Sequence, residues 1–128
     1  MIYLDTSAAL AQLLAEDRHP PDDLWDSPLV ASRLLQFEVW SRIHARGLAA
    51  THGDAVRSLL ARVALLEVIP EIVARALEPF PAPVRTLDAL HLASLSFLRA
   101  EGLEIQLASY DERMLTAARR MSFDVVRL

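Results

Sequence analysis

The sequence predicts an α/β fold, a short parallel sheet of four or five strands covered by helices on both faces, and three observations predict it. Short, largely apolar runs, IYL at 2–4, LVAS at 29–32 and IQLAS at 105–109, alternate with longer stretches of helical period. These runs do not alternate apolar with polar, so they read as strands buried on both sides, which a parallel sheet requires and which helices must cover. Hydrophobic residues make up 53% of the chain, with a mean hydropathy of +0.25. That is rich enough to fill a core on each side of a sheet and to leave apolar helix surface for a second copy. At 128 residues the chain is expected to form one domain, 1–128, and a domain of this size buries roughly two thirds of the surface its unfolded chain exposes.

Taken in order, residues 2–4 form the first strand, and Thr6 or Ser7 caps a helix over 7–16, whose Ala and Leu content favours that state. The paired Pro20 and Pro21 begin a helical turn or a loop that runs to Pro28, and 29–32 is the second strand. Ser32 caps a long helix over 33–47, in which Leu35, Val39 and Ile43 fall at i, i+4 and i+8 and Gly47 supplies the stop. A third helix spans 51–66 with Asp54 as its capping candidate, an extended stretch follows at 66–70, and a short helix covers 71–80. PFPAPVR at 79–85 holds three of the seven prolines and forms a loop between elements. Thr86 caps a helix over 86–102, with Leu87, Leu90, Ser94, Phe97 and Leu98 on the helical period. A strand at 105–109, a helix at 111–121 and a strand at 123–126 complete the chain.

Composition excludes several chemistries. There is no Cys, so disulfides, thiolate metal sites and cysteine nucleophiles are out. All 13 basic residues are Arg, against 17 acidic ones, for a net charge of −4. Without Lys there is no Schiff base, no P-loop lysine and no phosphoaspartyl site. An acidic chain does not bind nucleic acid through a simple cationic face. His19, His44, His52 and His91 lack the paired spacing of a zinc site. No apolar run is long enough for a membrane span, and the chain is expected in the cytoplasm.

Four acids stand out because each interrupts or borders an apolar pattern: Asp5, Glu38, Asp88 and Asp111. Asp5 and Asp111 follow predicted strands closely, and in parallel sheets sites form beyond the carboxyl ends of the strands. Singly, each has a plain structural reading. Asp5 and Asp111 suit helix N-caps, Asp88 suits a first helical turn, and Glu38 with Arg42 suits an i, i+4 ion pair. Gathered together, however, four carboxylates repel and must protonate or bind cations. Hard oxygen donors without Cys or paired His select Mg²⁺ or Mn²⁺, which suit phosphoryl chemistry.

LDTSAAL at 4–10, FEVWSRI at 37–43, RTLDALHLASL at 85–95 and SYDERMLTAA at 109–118 resemble, in order and spacing, the motifs of PIN-domain nucleases, and the chain is similar in compactness to the VapC-type toxins of toxin–antitoxin pairs. The resemblance implies a PIN-like three-layer sandwich and an endoribonuclease dependent on Mg²⁺ or Mn²⁺. By position, Asp5, Asp88 and Asp111 would ligate metal and Glu38 would hold the metal or its water. Thr6, Ser7 and Ser109 match hydroxyl positions near such a site. Arg42 matches an arginine that orients Glu38 or meets RNA phosphate, and Arg85 would also meet RNA. Ser109 departs from the commoner Thr but keeps the hydroxyl. The resemblance further implies a cognate antitoxin covering the acidic pole and a homodimer. Two other readings compete. A PIN-like scaffold acting only through protein contacts would have no use for four mutually repelling acids. A haloacid-dehalogenase-like phosphatase needs Asp two residues after Asp5 and a downstream Lys, whereas this chain has Ser7 and no Lys.

Overall fold

The computed structural model describes residues 1–128. Five strands, β1 (Ile2–Leu4), β2 (Leu29–Ser32), β3 (Val63–Leu66), β4 (Gln106–Ala108) and β5 (Asp124–Val125), form one sheet in the order β3-β2-β1-β4-β5, with every pairing parallel. Six helices accompany it: α1 (Thr6–Leu13), α2 (Arg33–Ala45), α3 (Ala49–Ala61), α4 (Pro70–Ala76), α5 (Thr86–Ala100) and α6 (Glu112–Arg120).

Strand alternation sorts the core into two halves. Ile2 and Leu4 of β1 pack with Leu35, Val39 and Ile43 of α2, Ala8 and Ala9 of α1, and Val56 and Leu59 of α3. Tyr3 faces the other way, into Leu92, Leu95 and Leu98 of α5 and Met114, Ala117 and Ala118 of α6. Helices therefore cover both faces, as the sequence predicts, and α4 packs on the outside of α5. The stripe at Leu35, Val39 and Ile43 is wholly buried, as its spacing requires.

Several local expectations are corrected. The first helix ends at Leu13 rather than 16 because Ala15 adopts φ +48° and the Glu16 amide turns back to the Ala11 carbonyl at 3.2 Å, a C-terminal cap made without glycine. Neither Thr6 nor Ser7 caps it; Asp5 does. The third helix begins at Ala49, so Asp54 lies inside it, and it stops at Ala61. The strand expected at 66–70 lies at Val63–Leu66. Val63, Ala64, Leu65 and Leu66 pair in register with Leu29, Val30, Ala31 and Ser32, and that pairing overrides the helix preference of an Ala- and Leu-rich segment. Pro70 starts α4, where its missing N–H costs nothing. Arg85, not Thr86, occupies the cap position of α5. The Pro20–Pro21 segment leads into a 3-10 turn over Asp22–Asp26.

Candidate active site

The carboxyl edge of the sheet is assembled from the junctions that follow its strands. At the β1–α1 junction Asp5, 5% exposed, caps α1. Its Oδ2 accepts the hydroxyl protons of Ser7 (2.6 Å) and Ser109 (2.8 Å) and, more weakly, the Ser7 amide at 3.4 Å. The same hydroxyl oxygens accept the amides of Tyr110 and Asp111, each at 2.9 Å. Two serines thus tie the end of β1 to the end of the adjacent β4 through one carboxylate. Asp111 in turn caps α6, its Oδ1 accepting the amides of Arg113 (2.9 Å) and Met114 (3.3 Å).

Glu38 reaches the same edge from the third position past Leu35 on α2. The sequence offered Arg42 as its partner, but the structure supplies His91 of α5, whose Nε2 lies 2.5 Å from Glu38 Oε1. His91 is 1% exposed and its Nδ1 lies 2.8 Å from the Tyr3 hydroxyl. Burial alone would lower the imidazole pKa; the hydrogen bond to Glu38 and the negative charges of Asp5, Glu38 and Asp88 outweigh it and move it up. Burial pushes the Tyr3 hydroxyl pKa well up, so the phenol keeps its proton. From sequence, His91, three residues after Asp88, reads first as a satisfied helix histidine and second as a neighbour of the site, and the structure makes it both; Tyr3 reads only as part of a buried strand.

Asp88 stands in the first turn of α5, and its Oδ2 accepts the Arg85 amide at 3.2 Å. Its pKa is raised, first by partial burial, which the Arg85 amide opposes, and then by the negative charges of Asp111 and Asp5. Those two charges act on Asp88 across the same pole. Replacing the charge while keeping the acceptor, Asp88→Asn, is expected to raise the stability of the chain in EDTA at neutral pH by a few tenths of a kcal/mol, discounted for solvent exposure. Because the native pKa lies above the unfolded one, the ionised carboxylate is the destabilising form, so the difference in melting temperature between the two proteins narrows as pH falls through the native value. A gap that widens on acidification contradicts this.

All four acids line one open cleft of about 560 Å³. Each is held through a single oxygen: Asp5 by Oδ2, Glu38 by Oε1, Asp88 by Oδ2 and Asp111 by Oδ1. The second oxygen of each has no hydrogen-bonding partner in the chain, and no arginine forms an ion pair with any of the four. As they stand, no three Asp, Glu or His side chains close into a cage. Like charges about 4 Å apart repel by about 4 kcal/mol at an effective dielectric of 20, so drawing these carboxylates closer together calls for a cation between them. Thr6 adds a buried hydroxyl with no partner at the wall of the cleft. Hard, singly tethered oxygens and an orphaned hydroxyl fit a divalent ion of the Mg²⁺ or Mn²⁺ kind.

Arg42 and Arg85 line the cleft, as expected, and Arg18 and Glu16 join them from the segment after α1. Arg18 donates to the Tyr110 carbonyl at 3.2 Å and stacks on the Tyr110 ring at 4.8 Å. No periodicity marked these two residues, because the early end of α1 is what turns their segment toward the site.

Fold and site together define the PIN domain, and the sequence profile of that domain matches residues 2–120. The chain belongs to the PIN-domain family and, within it, to the VapC ribonucleases. It is 33% identical to the ribonuclease VapC46 of Mycobacterium tuberculosis, covering 98% of this chain and 95% of that protein, and 31% identical to VapC35 of the same organism, covering 98% and 96%. Among solved structures it is similar to M. tuberculosis VapC20, a sarcin-ricin loop cleaving toxin (TM-score 0.64, 22% identity, 91% of this chain and 95% of that one). A chain of a toxin–antitoxin complex from Klebsiella pneumoniae superposes with a TM-score of 0.67 at 15% identity, covering 99% and 97%. These two likenesses bear on the fold.

Proposed function

We propose that this protein is a Mg²⁺- or Mn²⁺-dependent endoribonuclease and the toxin of a toxin–antitoxin pair. The observation that carries the reading is that Asp5, Glu38, Asp88 and Asp111, from four separate segments, line a single cleft and each keep one carboxylate oxygen free of hydrogen-bond partners. Asp5, Asp88 and Asp111 would hold the ion, with Glu38 beside it. Bound there, the ion supplies charge neutralisation at phosphate oxygens and acidity to a water molecule. Ser7 and Ser109 orient Asp5, and Glu38 is aimed to hold the attacking water by its free oxygen. Water attacks phosphorus, the bond to the 3′-oxygen breaks, and the ends are a 5′-phosphate and a 3′-hydroxyl. Single-stranded or looped RNA suits an open cleft better than a stiff duplex.

Arg18, Arg42 and Arg85 supply the cationic rim that an acidic chain needs to hold a polyanion. Substituting any one by Ala is expected to raise KM and to reduce the salt dependence of RNA binding by about 0.7 in log–log slope, the value for one phosphate contact to a single strand. An unchanged slope removes that residue from the interface.

A cognate antitoxin would cover the same pole. Phe37, 68% exposed, and Leu87 form an apolar shoulder beside Glu38 and Arg42, which suits a partner segment combining apolar side chains with an arginine for the acids. Leu77, 82% exposed on the far end of α4, offers a surface that a homodimer would bury. No helix is long and apolar enough to cross a membrane.

The deciding experiment incubates labelled RNA with the protein in Mg²⁺, in Mn²⁺ and in EDTA. Cleavage that requires the ion supports the enzyme reading. A folded protein that binds an antitoxin yet cuts no RNA in either ion favours a protein-binding module, and cleavage undiminished in EDTA removes the metal from the mechanism.

A further inference from the structure

The hydrogen-bond chain behind Glu38 does more than fill the core. The Ser32 amide donates to the Tyr3 oxygen at 3.2 Å, which leaves the phenol's own proton directed at His91 Nδ1, 2.8 Å away. With Nδ1 accepting, the neutral imidazole carries its proton on Nε2, which faces Glu38 Oε1 at 2.5 Å. A carboxylate only accepts, so Nε2–H points at Glu38 whichever charge the ring carries. Tyr3 and His91 are 0% and 1% exposed, so neither touches solvent or the contents of the cleft directly. They are anchored in different places: Tyr3 on the central strand β1, Ser32 at the end of β2 and His91 on α5. Glu38 itself rides on α2, whose buried stripe packs on the opposite face of the sheet.

We propose that Tyr3 and His91 are positioning residues for Glu38: through the chain Ser32 amide, Tyr3 hydroxyl, His91 ring, they occupy Glu38 Oε1 and hold its Oε2 in the cleft for the ion or its water. This rests on the metal-site reading above. A free glutamate has three side-chain rotors and, among three other carboxylates, would swing outward into solvent. A donor on a fully buried ring opposes that swing at no cost in flexibility. The order of charge matters as well, since Arg42, one turn along α2, would neutralise Glu38 if it were the partner, whereas a ring fixed at the back leaves the front oxygen free. Such support behind a ligand is worth about 10- to 100-fold in metal affinity or activity.

The test uses Mn²⁺ titration by calorimetry on the full chain, with single-turnover RNA cleavage alongside and circular dichroism to establish folding. Tyr3→Phe removes one oxygen from a buried site and is expected to weaken Mn²⁺ binding about 10-fold and to lower the cleavage rate without changing KM for RNA. His91→Gln, whose side-chain amide can present an N–H to Glu38 where Nε2 stood, is expected to fall between the wild type and His91→Leu. In a Glu38→Gln background Tyr3→Phe is expected to have no further effect on binding. Wild-type Mn²⁺ affinity in folded Tyr3→Phe, or equal losses in His91→Gln and His91→Leu, overturns the proposal. Asp5→Asn run in parallel separates the two readings: if it abolishes Mn²⁺ binding while Tyr3→Phe keeps the wild-type affinity, only the positioning role falls, and if Asp5→Asn binds Mn²⁺ like the wild type the metal site itself is wrong.

Discussion

Asp5→Asn is expected to leave the fold in place and to reduce RNA cleavage at least about 10³-fold. The carboxylate accepts the hydroxyl protons of Ser7 and Ser109 through Oδ2 alone, and an asparagine carbonyl can accept the same two. What changes is the atom facing the cleft: an anionic oxygen becomes a neutral amide, which a hard cation binds poorly. A catalytic ion contributes several kcal/mol of charge stabilisation, and losing about 4 kcal/mol of it is a factor of about 10³ in rate. The measurement is single-turnover cleavage in Mg²⁺, with melting temperature recorded in EDTA. Because a negative charge is removed from a crowded pole, the melting temperature should hold steady or rise. A folded Asp5→Asn that cuts RNA at the parental rate would falsify the assignment of the site.

The second large effect is on stability. Leu35 is completely buried in the first turn of α2, between β1 and the rest of the apolar stripe and one turn before Glu38. Leu35→Ala removes three methyl or methylene equivalents and leaves a cavity that neighbours on a rigid sheet fill poorly, a loss of about 2–5 kcal/mol. Domains of this size hold about 5–15 kcal/mol in total, so the melting temperature should drop by about 10 °C. Denaturant melts with unchanged slope would confirm that the native state, not the unfolded chain, has changed. A shift below about 1 kcal/mol would mean that the site collapses around the truncation, and that α2 is not seated as described.

What sequence reasoning could and could not reach follows from which interactions are local. The stripe at Leu35, Val39 and Ile43 and the caps at Ser32 and Asp111 are written in neighbouring residues, so they are legible and found in place, whereas three adjacent side chains, Asp5, Thr6 and Ser7, compete for the cap of α1 and Asp5 takes it. The four acids were legible too, as polar interruptions of apolar runs, and the sheet brings them to one cleft. The support behind them was not. Tyr3 and His91 are 88 positions apart, and each sits in an apolar neighbourhood where core packing is an adequate explanation. Likewise β3 could not be told from the end of a helix, because Val63–Leu66 becomes a strand only by pairing with β2, more than thirty residues earlier. Arg42 looked like the partner of Glu38 because i, i+4 pairs are the local rule, and a nonlocal imidazole took that place.

The position of β4 between β1 and β5 has a consequence for synthesis. The inner strand that leads into Ser109 and Asp111 is made after every other element but α6 and β5, so a nascent chain emerging from the ribosome has neither the serine bridge to Asp5 nor its fourth acid until some 111 residues are outside. Chains that stop before β4 therefore lack the assembled pole, and the cleft closes around its four acids only after the segment that follows β4 has been made.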